Sequence, residues 1–166
     1  LVDQLLAIAR LDHLQQISCS SELLTPLLHQ SLSQLPLKLL DKVQWQLKLD
    51  DNCRLFGDSA LLQSVLRNVL DNAAKYSPQD GIVSVITRCD KHSSHISISN
   101  SGMVDTEVSR LGDRFYRHQQ HQNTDGAGLG LSIVKHIVEL HHGSISFTAN
   151  ALHGLDVSIV LPAVPR

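Results

Sequence analysis

Aromatic residues are scarce in this 166-residue chain, with one Trp, two Tyr and three Phe, so its core must be largely aliphatic. Neither charge dominates: 14 basic and 16 acidic residues leave a formal charge of -2, with a pI near 6.6. A balance of that kind argues against nucleic acid or an anionic membrane as partner. Cysteine is sparse too. Cys19, Cys53 and Cys89 are odd in number, far apart and in no C-x-x-C pair, which points to reduced thiols in a cytosolic compartment. Of the ten histidines His118 with His121 and His141 with His142 lie close together, but no adjacent Cys or carboxylate completes a ligand set, so no structural metal is expected. No run reaches the roughly 20 apolar residues needed to cross a bilayer. The start, L-V-D-Q-L-L-A-I-A-R-L-D, lacks the basic flank and cleavage site of a signal peptide. It also lacks an N-cap, and so reads as a fragment opening in mid-helix.

What is present suits one soluble domain with an appended element: 42% hydrophobic residues and a mean hydropathy of -0.03. Leu1, Leu5, Leu6, Ile8, Ala9 and Leu11 form an amphipathic stripe at helical spacing, with no evident partner in the chain. Residues 17–21 read as an extended linker. A helix is expected over 21–34, with Ser21 as its cap and Pro26 in its first turn. V-Q-W-Q-L-K-L alternates as a strand whose buried face holds Val43, Trp45, Leu47 and Leu49, and Cys53 to Phe56 forms a second short strand. Asp58 then caps a helix over 59–76 that turns Leu61, Leu62, Val65, Leu66, Val69 and Leu70 inward. Residues 82–88 and 95–99 make a hairpin, 106–111 a short helical piece, and 144–149 with 155–161 a last strand pair. Between them H-Q-Q-H-Q-N-T-D has no aliphatic anchor and should be mobile, since it buries too little to offset the entropy of ordering it. There are no internal repeats. Mostly antiparallel strands with helices on one face describe an α+β fold, a two-layer α/β sandwich with a mixed, mostly antiparallel sheet.

Two stretches carry chemistry. Gly126, Gly128 and Gly130 alternate directly before the apolar-periodic L-S-I-V-K-H-I-V-E-L. Residues without side chains let backbone approach a bulky anion, and the first N–H groups of a helix point at whatever sits there. Such glycines also fit a tight turn with a helix packed behind it. A dinucleotide fingerprint is disfavoured, because the glycines follow a polar loop near the end of the chain rather than an N-terminal βαβ unit. Asn68 and Asn72 lie one helical turn apart on the flank of an otherwise apolar helix. An amide oxygen there can hold a hard cation such as Mg²⁺, which takes its remaining ligands from water and phosphate. Lys75 follows as a cation for phosphate and Tyr76 as a ring for a base or ribose edge.

Taken together, N-V-L-D-N-A-A-K-Y-S resembles the N box, D-R-F-Y-R the F box and G-A-G-L-G-L-S-I-V the G2 box of the ATP-binding catalytic domain of sensor histidine kinases. That domain belongs to the GHKL (Bergerat) superfamily, which includes gyrase B, Hsp90 and MutL. The motifs stand in the family's order at near-family spacing, and the match covers residues 21–162. The first residues resemble the end of the second dimerisation helix of the same kinases, the QseC-type sensors being the nearest subgroup. S-E-L-L-T-P-L is similar to the phosphoacceptor box with serine in place of histidine, but it follows the helix it should precede, and we read it as coincidence.

The resemblance implies a division into 1–16, the end of a dimerisation (DHp) helix, and 17–166, an ATP-binding catalytic domain. It makes Asn72 the Mg²⁺ ligand and Asn68 its support, and Lys75 and Tyr76 the phosphate- and nucleotide-contacting pair. Gly126, Gly128, Leu129, Gly130 and Leu131 become the phosphate loop. Arg114 and Arg117 would meet the γ-phosphate, with Phe115 as a hinge of the lid. It further implies ATP and Mg²⁺ as cofactors, and as partners a DHp domain whose phosphoacceptor histidine lies upstream and a response regulator receiver domain. The whole protein would be a homodimer, this portion lying in the cytoplasm beneath a bacterial inner membrane that only the missing N-terminal part reaches. One motif departs from the pattern. Where the family has D-x-G-x-G, this chain has N-S-G-M-V-D, with Asn100 for the adenine-binding Asp, Gly102 as the first glycine and no second one. An amide can still accept from adenine's amino group. It forgoes a charge-assisted bond, about twice as strong as a neutral one, so weaker ATP binding than the family norm is expected. The alternatives are a regulatory or nucleotide-sensing module without kinase output and an anti-sigma-type serine kinase on the same fold.

Overall fold

Alternation governs the centre of the molecule. In I-V-S-V-I-T-R-C the residues Val83, Val85 and Thr87 are buried while Ile82 and Arg88 face out, and the strand takes its place in a sheet with one covered face. The computed structural model describes residues 17–102, 130–150 and 154–165. In chain order the elements are β1 (Ser20–Leu23), α1 (Leu24–Ser33), α2 (Leu37–Lys42), β2 (Gln44–Lys48), β3 (Arg54–Gly57), α3 (Ser59–Lys75), β4 (Ile82–Cys89), β5 (Ser93–Asn100), α4 (Gly130–Leu140), β6 (Ser144–Ala149) and β7 (Leu155–Pro162). Five strands form one sheet in the order β2-β4-β5-β7-β6, and β1 pairs with β3 in a separate two-stranded ribbon. The β2–β4 pair is parallel and every other pair antiparallel, so the sheet is mixed and mostly antiparallel, as the α+β expectation has it.

The covered face carries Val83, Val85, Ile96, Ile98, Val157, Ile159 and Leu161. Against it lie Leu62, Val65, Leu66, Val69 and Leu70 of α3 with Ile133, Val134, Ile137 and Val138 of α4, and Leu24, Leu27 and Leu28 of α1 complete the aliphatic core. Removing one such side chain, as in Leu66→Ala, costs about 2–5 kcal/mol. The α3 cap is as expected: Asp58 Oδ1 accepts from Leu61 N–H at 3.1 Å. His141, just past the end of α4, closes the same end of the helical layer. Its Nε2 accepts from Asp58 N–H at 3.0 Å and its Nδ1 faces Ile137 O at 2.8 Å. An N–H only donates and a carbonyl only accepts, so the ring is the neutral tautomer with its proton on Nδ1. Both nitrogens are thereby committed to backbone.

Three local expectations need correction. Residues 20–23 are strand rather than the start of a helix, because Ser21 pairs with Phe56 and Glu22 with Leu55. The cap position of α1 therefore falls on Leu23, which makes no side-chain cap bond, and Leu24 N–H goes instead to Cys53 O at 2.9 Å. The six-residue α2 was not expected at all. Leu47, read as inward, is 40% exposed, because β2 is an edge strand and only part of its inner face is covered. The helical piece expected over 106–111, the polar stretch 118–125 and residues 1–16 lie outside the described residues.

Candidate nucleotide site

The amide-bearing helix and the glycine-led helix meet. Asn68 Nδ2 donates to Ser64 O at 2.7 Å, one turn back, which commits its amino group to the helix and turns Oδ1 outward. Facing it is Gly130, the first residue of α4. A Cβ built on Gly130 would come 3.3 Å from Asn68 Oδ1 and 3.7 Å from Asn72 Nδ2, so α4 begins directly against the two amides, and a side chain there would require Asn68 to give by a few tenths of an ångström. Leu131 follows, half-buried, on the same turn. Asn68 and Asn72 are themselves half-buried, neither lost in the core nor fully solvated.

At the end of α3, Lys75 pairs with Asp71 at 3.4 Å, an i,i+4 contact on the helix surface. Pairs of this kind contribute about 0.3–0.5 kcal/mol, so a phosphate can win the ammonium from the carboxylate. Tyr76 is the C-cap, its N–H bonded to Asn72 O at 3.1 Å. Lys42 Nζ donates to Lys75 O at 2.8 Å and supplies a cation to the carbonyl end of the helix. Burial, with Lys38 nearby, lowers the Lys42 ammonium from its ordinary value.

Asn100 ends β5 on the helix-facing side, buried, in register with Val83 and Leu155. Its Nδ2 donates to Ser101 O at 3.2 Å. Gly102 has φ +150, and a Cβ on it would stand 2.8 Å from Tyr76 O and 3.5 Å from Asn100 Nδ2. Only glycine adopts that conformation at no steric cost, and it presses the end of the sheet against the end of α3. Sequence reasoning missed what braces Asn100 from the other side. Asn150 Nδ2 donates to Asn100 O at 3.2 Å and to Asp156 Oδ1 at 2.9 Å, and Asn150 Oδ1 accepts from Gly154 N–H at 2.9 Å. A Cβ on Gly154 would overlap the Asn100 carbonyl. The only hint in the sequence was the polar A-N-A-L-H-G between two strands.

Asn68, Asn72, Lys75, Tyr76, Asn100, Gly102, Gly130 and Leu131 thus converge along the C-terminal half of α3. Arg114, Phe115, Arg117, Gly126, Gly128 and Leu129 lie outside the described residues. The residues present fit a magnesium nucleotide in kind, with neutral amide oxygens suited to a hard cation that keeps its phosphate ligands, and a helix start beside them suited to an anion.

Comparison with known proteins places these features in a family. The profile described as histidine kinase-, DNA gyrase B- and HSP90-like ATPase matches residues 57–165. The sensor protein QseC of Escherichia coli K12 is 36% identical over 157 residues, covering 93% of this chain and 34% of that protein. The chain therefore spans about a third of the length of the curated relatives it matches first. Among solved structures, a mycobacterial sensor histidine kinase, MprB, superposes with a TM-score of 0.79 at 30% identity, over 89% of this chain and all of that one. The cytoplasmic segment of the histidine kinase QseC superposes at 0.62 and 27% identity, over 95% of this chain and 87% of that one.

Proposed function

The chain belongs to the histidine kinase-, DNA gyrase B- and HSP90-like ATPase family, and from that premise we propose that it is the ATP-binding catalytic domain of a two-component sensor histidine kinase. It moves the γ-phosphoryl of Mg-ATP to a histidine on a DHp domain. The observation that carries the reading is the meeting of Gly130 with the amides of Asn68 and Asn72.

Phosphoryl transfer asks a protein chiefly for positioning and charge neutralisation. Asn72, supported by Asn68, would hold Mg²⁺, whose charge offsets that of the phosphates. The start of α4 presents backbone N–H groups to the same place, with Gly126, Gly128, Leu129 and Leu131 as the rest of that loop. Lys75, released from Asp71, reaches toward the phosphates, and Tyr76 borders the base. Arg114 and Arg117 serve the γ-phosphate, with Phe115 at the hinge of the lid. Asn100 accepts from the adenine amino group. The chain's own catalytic contribution ends there, since the nucleophile lies on another domain. Residues 1–16 would be the last turns of a DHp helix, and a response regulator receiver domain would take the phosphoryl group in turn. The whole protein would be a homodimeric sensor of the bacterial inner membrane, with this portion in the cytoplasm. No helix among the described residues is long and apolar enough to cross a membrane.

The hydrogen bond from Asn100 Nδ2 to Ser101 O favours one second reading, a nucleotide-sensing module with weakened adenine recognition and no kinase output. Labelled ATP, this chain and a separate DHp protein decide between them. Phosphohistidine on the DHp protein is expected. An acid-stable phosphoserine points to a serine kinase, and binding without transfer to the sensing module.

A further inference from the structure

At the opposite end of β4 from the amide site, three side chains converge that the nucleotide reading does not use. Asp50 lies in the turn after β2, Cys53 immediately precedes β3, and Cys89 closes β4. One carboxylate oxygen and the two Sγ atoms all lie within 4.8 Å of one another. Cys89 Sγ stands 3.6 Å from Asp50 Oδ2. Around a tetrahedral zinc ion with bonds of about 2.3 Å to sulfur and about 2.0 Å to oxygen, the S···O edge is about 3.5 Å and the S···S edge about 3.8 Å. The Cys89–Asp50 pair already stands close to the first of these, and the remaining separations fall within 4.8 Å.

The scaffold holds them there through bonds that leave the donor atoms out. Asp50 N–H donates to Thr87 Oγ1 at 2.8 Å, two residues before Cys89 on the same face of β4. Cys53 N–H donates to Asp50 O at 3.2 Å. Ser94, the register partner of Cys89, donates through Oγ to Arg54 O at 2.6 Å and ties β5 to the residue after Cys53. The second carboxylate oxygen, Asp50 Oδ1, accepts from Asn52 N–H at 3.0 Å, which fixes the orientation of the group and leaves Oδ2 toward the thiols. Cys53 is fully buried and Asp50 and Cys89 are half-buried.

We propose that Asp50, Cys53 and Cys89 form a binding site for a thiophilic divalent cation, Zn²⁺, with water in the fourth position. Two sulfur donors select zinc over Mg²⁺, which seeks oxygen ligands in an octahedral array. Uptake releases the two thiol protons and leaves a Zn(S)₂(O) centre of net charge -1. The ion would clasp the β2–β3 turn to the end of β4, far from the nucleotide.

Co²⁺ reports the site directly. In a metal-free Cys19→Ser chain, which lacks the exposed thiol, one equivalent of Co²⁺ should give sulfur-to-metal charge-transfer absorption and the visible bands of tetrahedral cobalt. One equivalent of Zn²⁺ should abolish both, and millimolar Mg²⁺ should leave them. Cys89→Ser, at a half-buried position, should remove the charge-transfer band of that thiolate and weaken Zn²⁺ by at least about a hundredfold, more than losing an outer-shell partner costs. Asp50→Asn tests the third ligand and should weaken binding while both sulfur contacts remain. No stoichiometric uptake, or uptake unchanged in Cys89→Ser, overturns the proposal. So does a Cys53–Cys89 disulfide that forms in air and survives in the presence of zinc, since that outcome makes the pair a redox couple instead.

Discussion

The helix-facing side of the β4–β5 hairpin has two ends of opposite chemistry. Val83 pairs with Asn100 at one and Cys89 with Ser94 at the other, about 20 Å apart at roughly 3.3 Å per residue. Between them the face is mostly aliphatic, with Val85, Ile96 and Ile98, and Thr87 carries its one hydroxyl before the Cys89 end. What differs is the element that closes each end. At the Asn100 end the C-terminus of α3 and the start of α4 arrive together, bringing amides, glycines and the N-terminal turn of a helix, suited to hard, anionic ligands. At the Cys89 end a turn and two strand ends arrive, bringing two thiols and the Asp50 carboxylate. A sheet face supplies stability at either end, and the closing elements decide the ligand.

The sharpest way to break this comparison is Asn72→Ala. It should lower Mg-ATP affinity by about 2–3 kcal/mol, roughly a hundredfold, as expected for a buried contact to a charged group. Zn²⁺ uptake should be untouched, and calorimetric titration with each ligand reads both. A fall in both would show that the ends are coupled rather than independent. Next in size is a substitution in the scaffold they share. On Gly57 a Cβ would stand 2.5 Å from His141 Cδ2 and 2.8 Å from Leu62 Cδ1, and His141 is pinned by two backbone bonds. Gly57→Ala should therefore cost about 1–3 kcal/mol in urea unfolding, with both ligands still bound by the folded fraction.

How much of each end was legible follows from how local its signals are. The Asn68–Asn72 face, the Asp58 cap and the β4–β5 hairpin were readable because each is written in a few consecutive residues at a helical or strand period. That Gly130 would face the amides came only through the family resemblance, since nothing in the spacing of residues 68 and 130 states it. β1 was misread because Leu23, Leu24, Leu27 and Leu28 fit a helix, while the strand depends on partners at Arg54–Gly57 that local pattern cannot supply. The parallel pairing of β2 with β4 and the brace of Asn150 on Asn100 were invisible for the same reason. The thiol end was least legible of all. Cys53 and Cys89 stand far apart in sequence, and only a parallel edge strand followed by a turn brings Asp50 to both.

Asn100→Asp sharpens the amide end. Restoring a carboxylate gives adenine a charge-assisted acceptor, and nucleotide affinity should rise about tenfold. The free protein should lose stability by about 0.5–1.5 kcal/mol, because the Nδ2 bond to Ser101 O disappears from a buried position. Thermal melts with and without nucleotide separate the two effects. A variant that binds no tighter would mean that the amide already satisfies the base.

The smallest effect belongs to the thiol end in the absence of metal. Burial first, then its contacts with Cys89 and Asp50, push the Cys53 thiol from an ordinary 9.0 up to about 12. The folded chain thus keeps a proton that the unfolded chain sheds above pH 9. The stability tied to that proton is complete below pH 9 and drains away as pH rises toward 12, amounting to about 1 kcal/mol by pH 10. Lys42, whose ammonium is lowered, acts in the opposite sense over the same range, so the total profile alone cannot isolate Cys53. The difference between the parent chain and Cys53→Ala can, because Lys42 is common to both. Cys53→Ala should be less stable at pH 8, having lost a buried side chain, yet fall less between pH 8 and pH 10. Parallel profiles would show that the thiol ionises as readily in the folded chain as in the unfolded one, and that burial at this end does not hold its proton.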